Sequence, residues 1–357
     1  MDAASKRTPT RRNPKTVHLS ATKAGALEPE NVLRDGPVPT NIQPVPQGGC
    51  MWYGQQDREA TADTVLRLLQ STMAVVRDPR SDNLSNIQQH ILKDLDFFLP
   101  QREHAPSRSA VKSGFTKAFV TTKAGLFSVL LFRFITFRTR ALTDTPPSDR
   151  KIVFGDLAEW KEYVSHLRQL HGEQAKDFFC LRAGPGRRPQ PGRVIENAED
   201  YWEVALENNW QTAFESGSLS FCECLSIIDK FRTKKRRSKR PPQFGKLSQY
   251  LTATDLVYAG AVDMPSIEDI ACQIHQLDAG GLKGLRLLGY LPPITEVELE
   301  TLETTVDQVT EAFTHFFEDV SVRLNSTEKT EMGWDVIMAE HSLCKISRLW
   351  QFWPNKV

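Results

Sequence analysis

The hydrophobic residues of this chain recur at intervals of three and four, and no window shows the alternation of a half-buried strand. That periodicity predicts an all-α fold. It is clearest between Phe244 and Leu291, which reads as helix, short break, helix, then a glycine-rich reversal into a further helical turn. Leu247, Tyr250, Leu251, Thr254, Val257 and Tyr258 share one face of the first helix and predict its burial. A second face carries Ser248, Thr252, Asp255 and Ala259, small or polar residues with a single carboxylate. Such a strip either lines a pocket or lets a neighbouring helix pack close. Ser266 is placed to cap the next helix, with Asp269 three residues on. That helix is expected to close over Asp278-Ala279-Gly280-Gly281, where glycine supplies positive φ. Gly281 and Gly284 then flank Lys283. This arrangement either brings backbone N–H groups and a cation to a phosphate or only connects two helices.

Around this stretch the chain divides into three parts. Residues 1–50 are rich in Pro, Gly, Thr and Arg, lack periodic hydrophobics, and predict a disordered basic tail. Residues 51–110 predict a helical extension. Val65, Leu68, Leu69, Met73 and Val76 form one helix ended by Pro79, and Ile87, Ile91, Leu95 and Phe98 form a second closed by Pro100. Residues 101–113 read as a linker, and 111–350 as the main helical domain. Its most apolar helix ends in Phe132, Arg133, Phe134, Phe137, Arg138 and Arg140. Guanidinium groups beside aromatic rings suit a phosphate or base-stacking site, and equally suit the capping of a buried helix end. Further helices are expected over Phe154–Gln169, Ala198–Phe214 and Leu219–Phe231, with a basic Pro/Gly loop over Arg182–Arg193. Thr295 and Glu298 form a capping box ahead of Leu299, Leu302, Val306, Val309, Phe313, Phe316 and Val320, which predicts a helix of about 30 residues. The last helix, from about Glu331 to Trp350, puts Glu340, His341, Cys344 and Arg348 within one arc.

Charge is informative only locally, because 45 basic residues nearly cancel 44 acidic ones. The run KKRRSKR from Lys234 to Arg240, with the basic N-terminus, suggests a nuclear import signal or a phosphate-contacting arm, against a solvated loop as the plain alternative. The most apolar run, Leu126–Phe137, is 12 residues long and contains Arg133, whereas a bilayer span needs about 20 apolar residues. The chain is therefore expected to be soluble and intracellular, with no membrane partner. Six scattered cysteines do not make a disulfide framework. Cys222-x-Cys224, Cys272-x-x-His275 and His341-x-x-Cys344 lack paired zinc spacing, so no metal is expected and the thiols are read as buried and structural. No Walker loop or βαβ alternation supports a nucleotide kinase or a Rossmann enzyme.

Several short motifs carry a family likeness. They are Leu130-Leu131-Phe132-Arg133-Phe134 with Arg138, Gly245-Lys246-Leu247 with Tyr250-Leu251 and Asp255-Leu256-Val257-Tyr258, Gly281-Leu282-Lys283-Gly284, and Glu340-His341-x-Leu343-Cys344-Lys345. Over about residues 110–348 the chain resembles the alpha-glutamyl/putrescinyl thymine pyrophosphorylases, in their eukaryotic, mainly fungal branch. The resemblance implies a DNA-glycosylase-like helical fold. It also implies a transferase reaction in which an amine displaces pyrophosphate from a modified 5-hydroxymethyluracil in DNA, giving a hypermodified thymine. DNA and a small amine or amino acid are then the partners and no cofactor is implied, while the two basic runs point to the nucleus as the compartment. On that reading Asp255 holds or deprotonates the amine, and Glu340, His341 and Cys344 form a second polar wall. Arg133, Arg138, Lys246 and Lys283 offer charge to the pyrophosphate, Gly281 and Gly284 offer backbone, and Tyr250 and Tyr258 stack the base. Gly281-x-x-Gly284 departs from the Gly-x-Gly hairpin of glycosylases. Three rival readings remain: a non-catalytic DNA- or chromatin-binding helical protein, a DNA glycosylase for a modified pyrimidine, and a helical scaffold whose basic runs are import signals only.

Overall fold

A computed structural model describes residues 55–171, 195–233, 240–293 and 304–352. The tail over 1–50, the Arg182–Arg193 loop, Lys234 to Lys239 of the basic run, and the Thr295/Glu298 capping box lie outside the described residues. The described residues all fall in one compact unit. Among the described residues the structure is helical, with isolated β-bridging such as that between Leu219 and Val262 and no strand. No described helix is long and apolar enough to cross a membrane.

The first helices are α1 (Gln55–Arg77), α2 (Asn86–Leu92), α3 (Leu95–Phe98), α4 (Pro106–Val111) and α5 (Lys117–Val120). They are followed by α6 (Lys123–Leu131), α7 (Arg140–Thr143) and α8 (Leu157–His171). After the undescribed loop come α9 (Ala198–Glu207), α10 (Phe221–Asp229), α11 (Lys246–Tyr258), α12 (Ile267–Leu277) and α13 (Gly280–Leu287). The last are α14 (Val306–Ser321), α15 (Ser326–Met332) and α16 (Val336–Leu349). α6 is apolar on every side and wholly buried from Gly125 to Leu131, so it runs through the core rather than over it. α11 and α16 are the other interior helices, and α13, α9 and α10 pack on them or on α6.

Several expectations change. The stretch 101–113, read as a linker, holds a 3₁₀ turn (Arg102–His104) and α4, and it buries Gln101, Arg102, Ser107 and Arg108. The second helix of the extension is two, because Asp94 accepts a bond from the Phe97 N–H and caps α3 anew. The long helix spans 16 residues, because Thr305 and Gln308 form their own capping box and set its start at Val306. α12 begins at the predicted Ser266–Asp269 box, but its left-handed closing residue is Asp278, φ 41°, and not glycine. Gly280 and Gly281 instead begin α13. On α11 both faces are buried in part. Ser248, Thr252 and Asp255 of the polar strip are buried, as are Tyr250, Thr254 and Val257 of the apolar face, whereas Leu247, Leu251 and Tyr258 are half-buried.

Candidate functional site

Asp255 sits in the middle of α11 and is fully buried. An ionised carboxylate persists there only if opposite charge surrounds it. Three arginines do so. Oδ1 accepts from Nη2 of Arg102 at 2.9 Å and Nη1 of Arg108 at 2.9 Å, and Oδ2 accepts from Nε of Arg133 at 2.8 Å. Nη2 of Arg133 bridges both oxygens. Burial works to raise the Asp255 pKa, but Arg133, Arg108 and Arg102 outweigh it and hold the group below the usual carboxylate range.

Each arginine reaches this point for a local reason. Arg133 lies in a π-helical turn, Phe132–Thr136, that widens the end of α6, and the Phe137 N–H closes it on the Phe132 carbonyl at 2.8 Å. Its guanidinium lies over the Phe132 and Phe137 rings, 5.2 and 4.7 Å from their centroids. Arg108 projects from α4, which Pro106 starts, and forks onto Glu103 at 2.9 and 3.1 Å. Arg102 donates to the Thr254 hydroxyl at 2.8 Å. Its Nε is buried and has no hydrogen-bond partner. Three guanidinium groups thus bond or pair with two carboxylates, Asp255 and Glu103, and Asp96 is a third carboxyl group at the same recess.

The arginines form one side of a small recess. Arg102, Arg108 and Arg133 line it with Asp96, Phe137 and His341, and Ala105 completes the wall. It encloses about 20 Å³ in this side-chain arrangement, room for a water molecule and not for a pyrimidine. On the far wall Asp96 accepts from the Ser107 N–H and hydroxyl at 2.9 and 2.7 Å, and burial pushes its pKa up. His341, half-buried on α16, is pushed well below 6.5 by burial and by Lys345, Arg102, Arg348 and Arg133. It presents a neutral imidazole to the recess at neutral pH.

The predicted residues therefore separate. Arg133 and His341 line the recess together. Asp255 does not: its carboxylate is closed off behind the guanidinium groups, so an amine in the recess does not meet it. Tyr250 is fully buried and donates its hydroxyl to Glu340 Oε2 at 3.0 Å. Glu340 is buried as well, and its pKa is raised. The Tyr258 hydroxyl bonds Asp335 at 3.2 Å, and its ring faces the guanidiniums of Arg102 and Arg108. Neither tyrosine lines the recess. Lys246 and Lys283 are exposed.

Gly281 and Gly284 do not form an open phosphate loop either. A Cβ at Gly284 would stand 2.5 Å from the Leu343 carbonyl oxygen, and one at Gly280 would stand 2.3 Å from Cys344 Sγ. The glycines therefore let α13 lie directly on α16. Cys344 receives the Gly281 N–H, and burial pushes its thiol up to about 11. The thiols differ among themselves. Cys224 is buried as expected, whereas Cys222 is exposed and bonds Asp269 at 2.9 Å. Arg138 is half-buried, pairs with Asp94 at 2.7 Å, and adopts a left-handed φ of 59° just after the π turn.

Sequence reasoning missed Arg102 and Arg108. The available signal was Pro106, which suits the first position of a helix and marks 106–111 as structured. No family model, curated protein or solved structure matches the chain.

Proposed function

We propose that the recess holds a phosphoryl oxyanion and that the chain replaces a pyrophosphate on a 5-hydroxymethyluracil of DNA with an amine. The observation that carries this reading is the meeting of three buried guanidinium groups at one recess, with Arg102 Nε buried, 4.0 Å from Glu103 and without a hydrogen bond. A buried guanidinium cluster with a donor that makes no hydrogen bond is stabilised by an anion, and phosphoryl oxygens fit guanidinium forks. The family resemblance supplies the identity of the anion. The recess has room for a single phosphoryl oxygen, about a water molecule in size, so the rest of the pyrophosphate and the pyrimidine stay outside it.

In the reaction, the amine nitrogen attacks the 5-methylene carbon and forms a C–N bond. The C–O bond breaks, and pyrophosphate leaves with its electron pair. Arg102, Arg108 and Arg133 stabilise the charge that develops on the leaving oxygens. The proton lost by the amine goes to His341, whose imidazole is neutral and stands at the same recess. Asp255 acts one layer behind, as the counter-charge that orders the three arginines. Arg133 serves the role read for it in the sequence, whereas proton transfer passes from Asp255 to His341.

The test is mass spectrometry of nucleosides from DNA carrying pyrophosphorylated 5-hydroxymethyluracil, after incubation with the protein and a mixture of amines and amino acids. An amine adduct with released pyrophosphate is expected. Free base with an abasic site would replace this reading with a glycosylase. An unchanged substrate, with the protein folded and DNA-bound, would leave a non-catalytic binder.

A further inference from the structure

We propose that Arg348 and Lys345, gathered with Arg138 around Phe97, form a second anion site that docks a phosphodiester of the nucleic-acid strand beside the recess. The inference rests on the reading that the substrate is DNA, and adds to it a place where the backbone is held.

α3 is only four residues long, and it brings Phe97 to the surface next to Asp96, a wall of the recess. The guanidinium carbons of Arg348 and Arg138 lie over the Phe97 ring, 4.2 and 4.7 Å from its centroid. Arg138 is compensated by Asp94 at 2.7 Å. Arg348 is not. Its Nη1 donates to the Phe97 carbonyl at 3.0 Å, and among the described residues no carboxylate forms a salt bridge with it.

Lys345, three residues earlier on the same side of α16, is 3% exposed. Its Nζ donates to the Asp96 and Phe97 carbonyls, both at 2.9 Å, and it too lacks a salt-bridge partner among the described residues. An ammonium carries three donors and a guanidinium five, so both groups keep donors in hand. Burial and the neighbouring Arg348 press Lys345 toward the neutral amine, as befits a cation left without a counter-charge. A bound oxyanion would reverse that pressure.

The chemistry of the patch selects a phosphate over a base. The Phe97 ring is already covered by guanidinium groups, so it orients cations and is not open for a nucleobase to stack on. The site is contiguous with the recess through Asp96, whose carbonyl receives Lys345 while its side chain lines the cavity. A ligand with one anionic group in the recess and another next to it matches a modified nucleotide still joined to its strand.

The test uses the full chain, a fluorescently labelled oligonucleotide followed by anisotropy over a range of salt, and inorganic pyrophosphate followed by calorimetry. Arg348→Gln is expected to weaken oligonucleotide binding about tenfold. It should also lower the slope of log affinity against log salt by about 0.7–0.9, the release expected for one phosphate. Pyrophosphate affinity should fall clearly less than oligonucleotide affinity, within about threefold, because Arg348 does not line the recess and acts on it only through the field at His341. An oligonucleotide with one methylphosphonate at the docked phosphate should weaken the wild type and leave Arg348→Gln unaffected. Arg140→Gln, which alters an exposed ion pair with Asp144, is the control and should leave binding unchanged. Undiminished affinity and slope in a folded Arg348→Gln protein would overturn the second site while leaving the recess reading in place. Pyrophosphate binding with no oligonucleotide binding by the wild type would overturn both this site and the DNA reading.

Discussion

Replacing Asp255 with asparagine removes one charge and almost no volume, so its effect isolates the electrostatics of the cluster. In the native protein Arg133 uses Nε and Nη2 on the two carboxylate oxygens, while Arg102 and Arg108 share Oδ1. A carboxamide keeps one oxygen for the shared bonds and turns an N–H₂ group toward Arg133, donor against donor. Three buried guanidinium groups then keep Glu103 as their paired carboxylate, with Asp96 at the same recess. Breaking a buried ion pair by removing one partner costs about 3–5 kcal/mol. For a fold of this size that lowers the melting temperature by roughly 5–8 °C. Thermal unfolding by circular dichroism, with denaturant titration to check that the m-value is unchanged, measures it. A loss of less than about 1 kcal/mol would refute the assignment of Asp255 as the organising counter-charge. Turnover by Asp255→Asn then has meaning only below its own melting temperature.

Three further outcomes follow from the same geometry. The His341 pKa lies well below 6.5 in the fold, so the unfolded chain takes up a proton that the folded chain does not as pH falls through 6.5. Stability from this group is therefore full above about pH 6.5 and declines below it, by up to ~1.4 kcal/mol per pH unit. His341→Gln should flatten that part of the profile, and identical pH slopes in the two proteins would contradict it. Tyr250→Phe removes the donor from buried Glu340 and should cost about 1–3 kcal/mol by denaturant unfolding, whereas Glu340→Gln, which keeps an acceptor, should cost less. Equal costs would remove the bond from the account. Gly284→Ala should destabilise by about 1–3 kcal/mol, because its Cβ meets backbone that cannot swing aside. Lys283→Ala on the exposed face should stay within about 0.5 kcal/mol. Equal melting of the two variants would count against close packing of α13 on α16.

Much of the architecture was legible because hydrophobic period and capping chemistry are local. The Ser266–Asp269 box, the burial of Val65, Leu68, Leu69 and Met73, and the apolar run of α6 all follow from near neighbours in sequence. The candidate site was legible only in part, because a buried ionic cluster has the composition of a surface loop. Gln101 to Ser109 is polar and aperiodic, yet it supplies two of the three arginines. Nothing local announces that Asp255, about 150 residues further on, gathers them. The polar strip of α11 left two readings open for a related reason. Thr252 returns its hydroxyl to the Ser248 carbonyl within the helix, so it is buried with its hydrogen bond satisfied. Gly281 and Gly284 resembled a phosphate loop because glycine permits both close backbone packing and anion approach, and only the neighbouring helix α16 distinguishes the two.

The most direct measurement is calorimetric titration of inorganic pyrophosphate into the full chain and into Arg133→Lys, with both proteins shown folded by their melts. Lysine keeps the charge and loses the planar fork that spans Asp255 and faces the recess. Saturable binding of one pyrophosphate per wild-type chain, at least about tenfold weaker in Arg133→Lys, is the predicted result. No saturable binding, or equal affinity in the two proteins, would contradict the claim that the arginine-lined recess is where the chain holds its phosphoryl group.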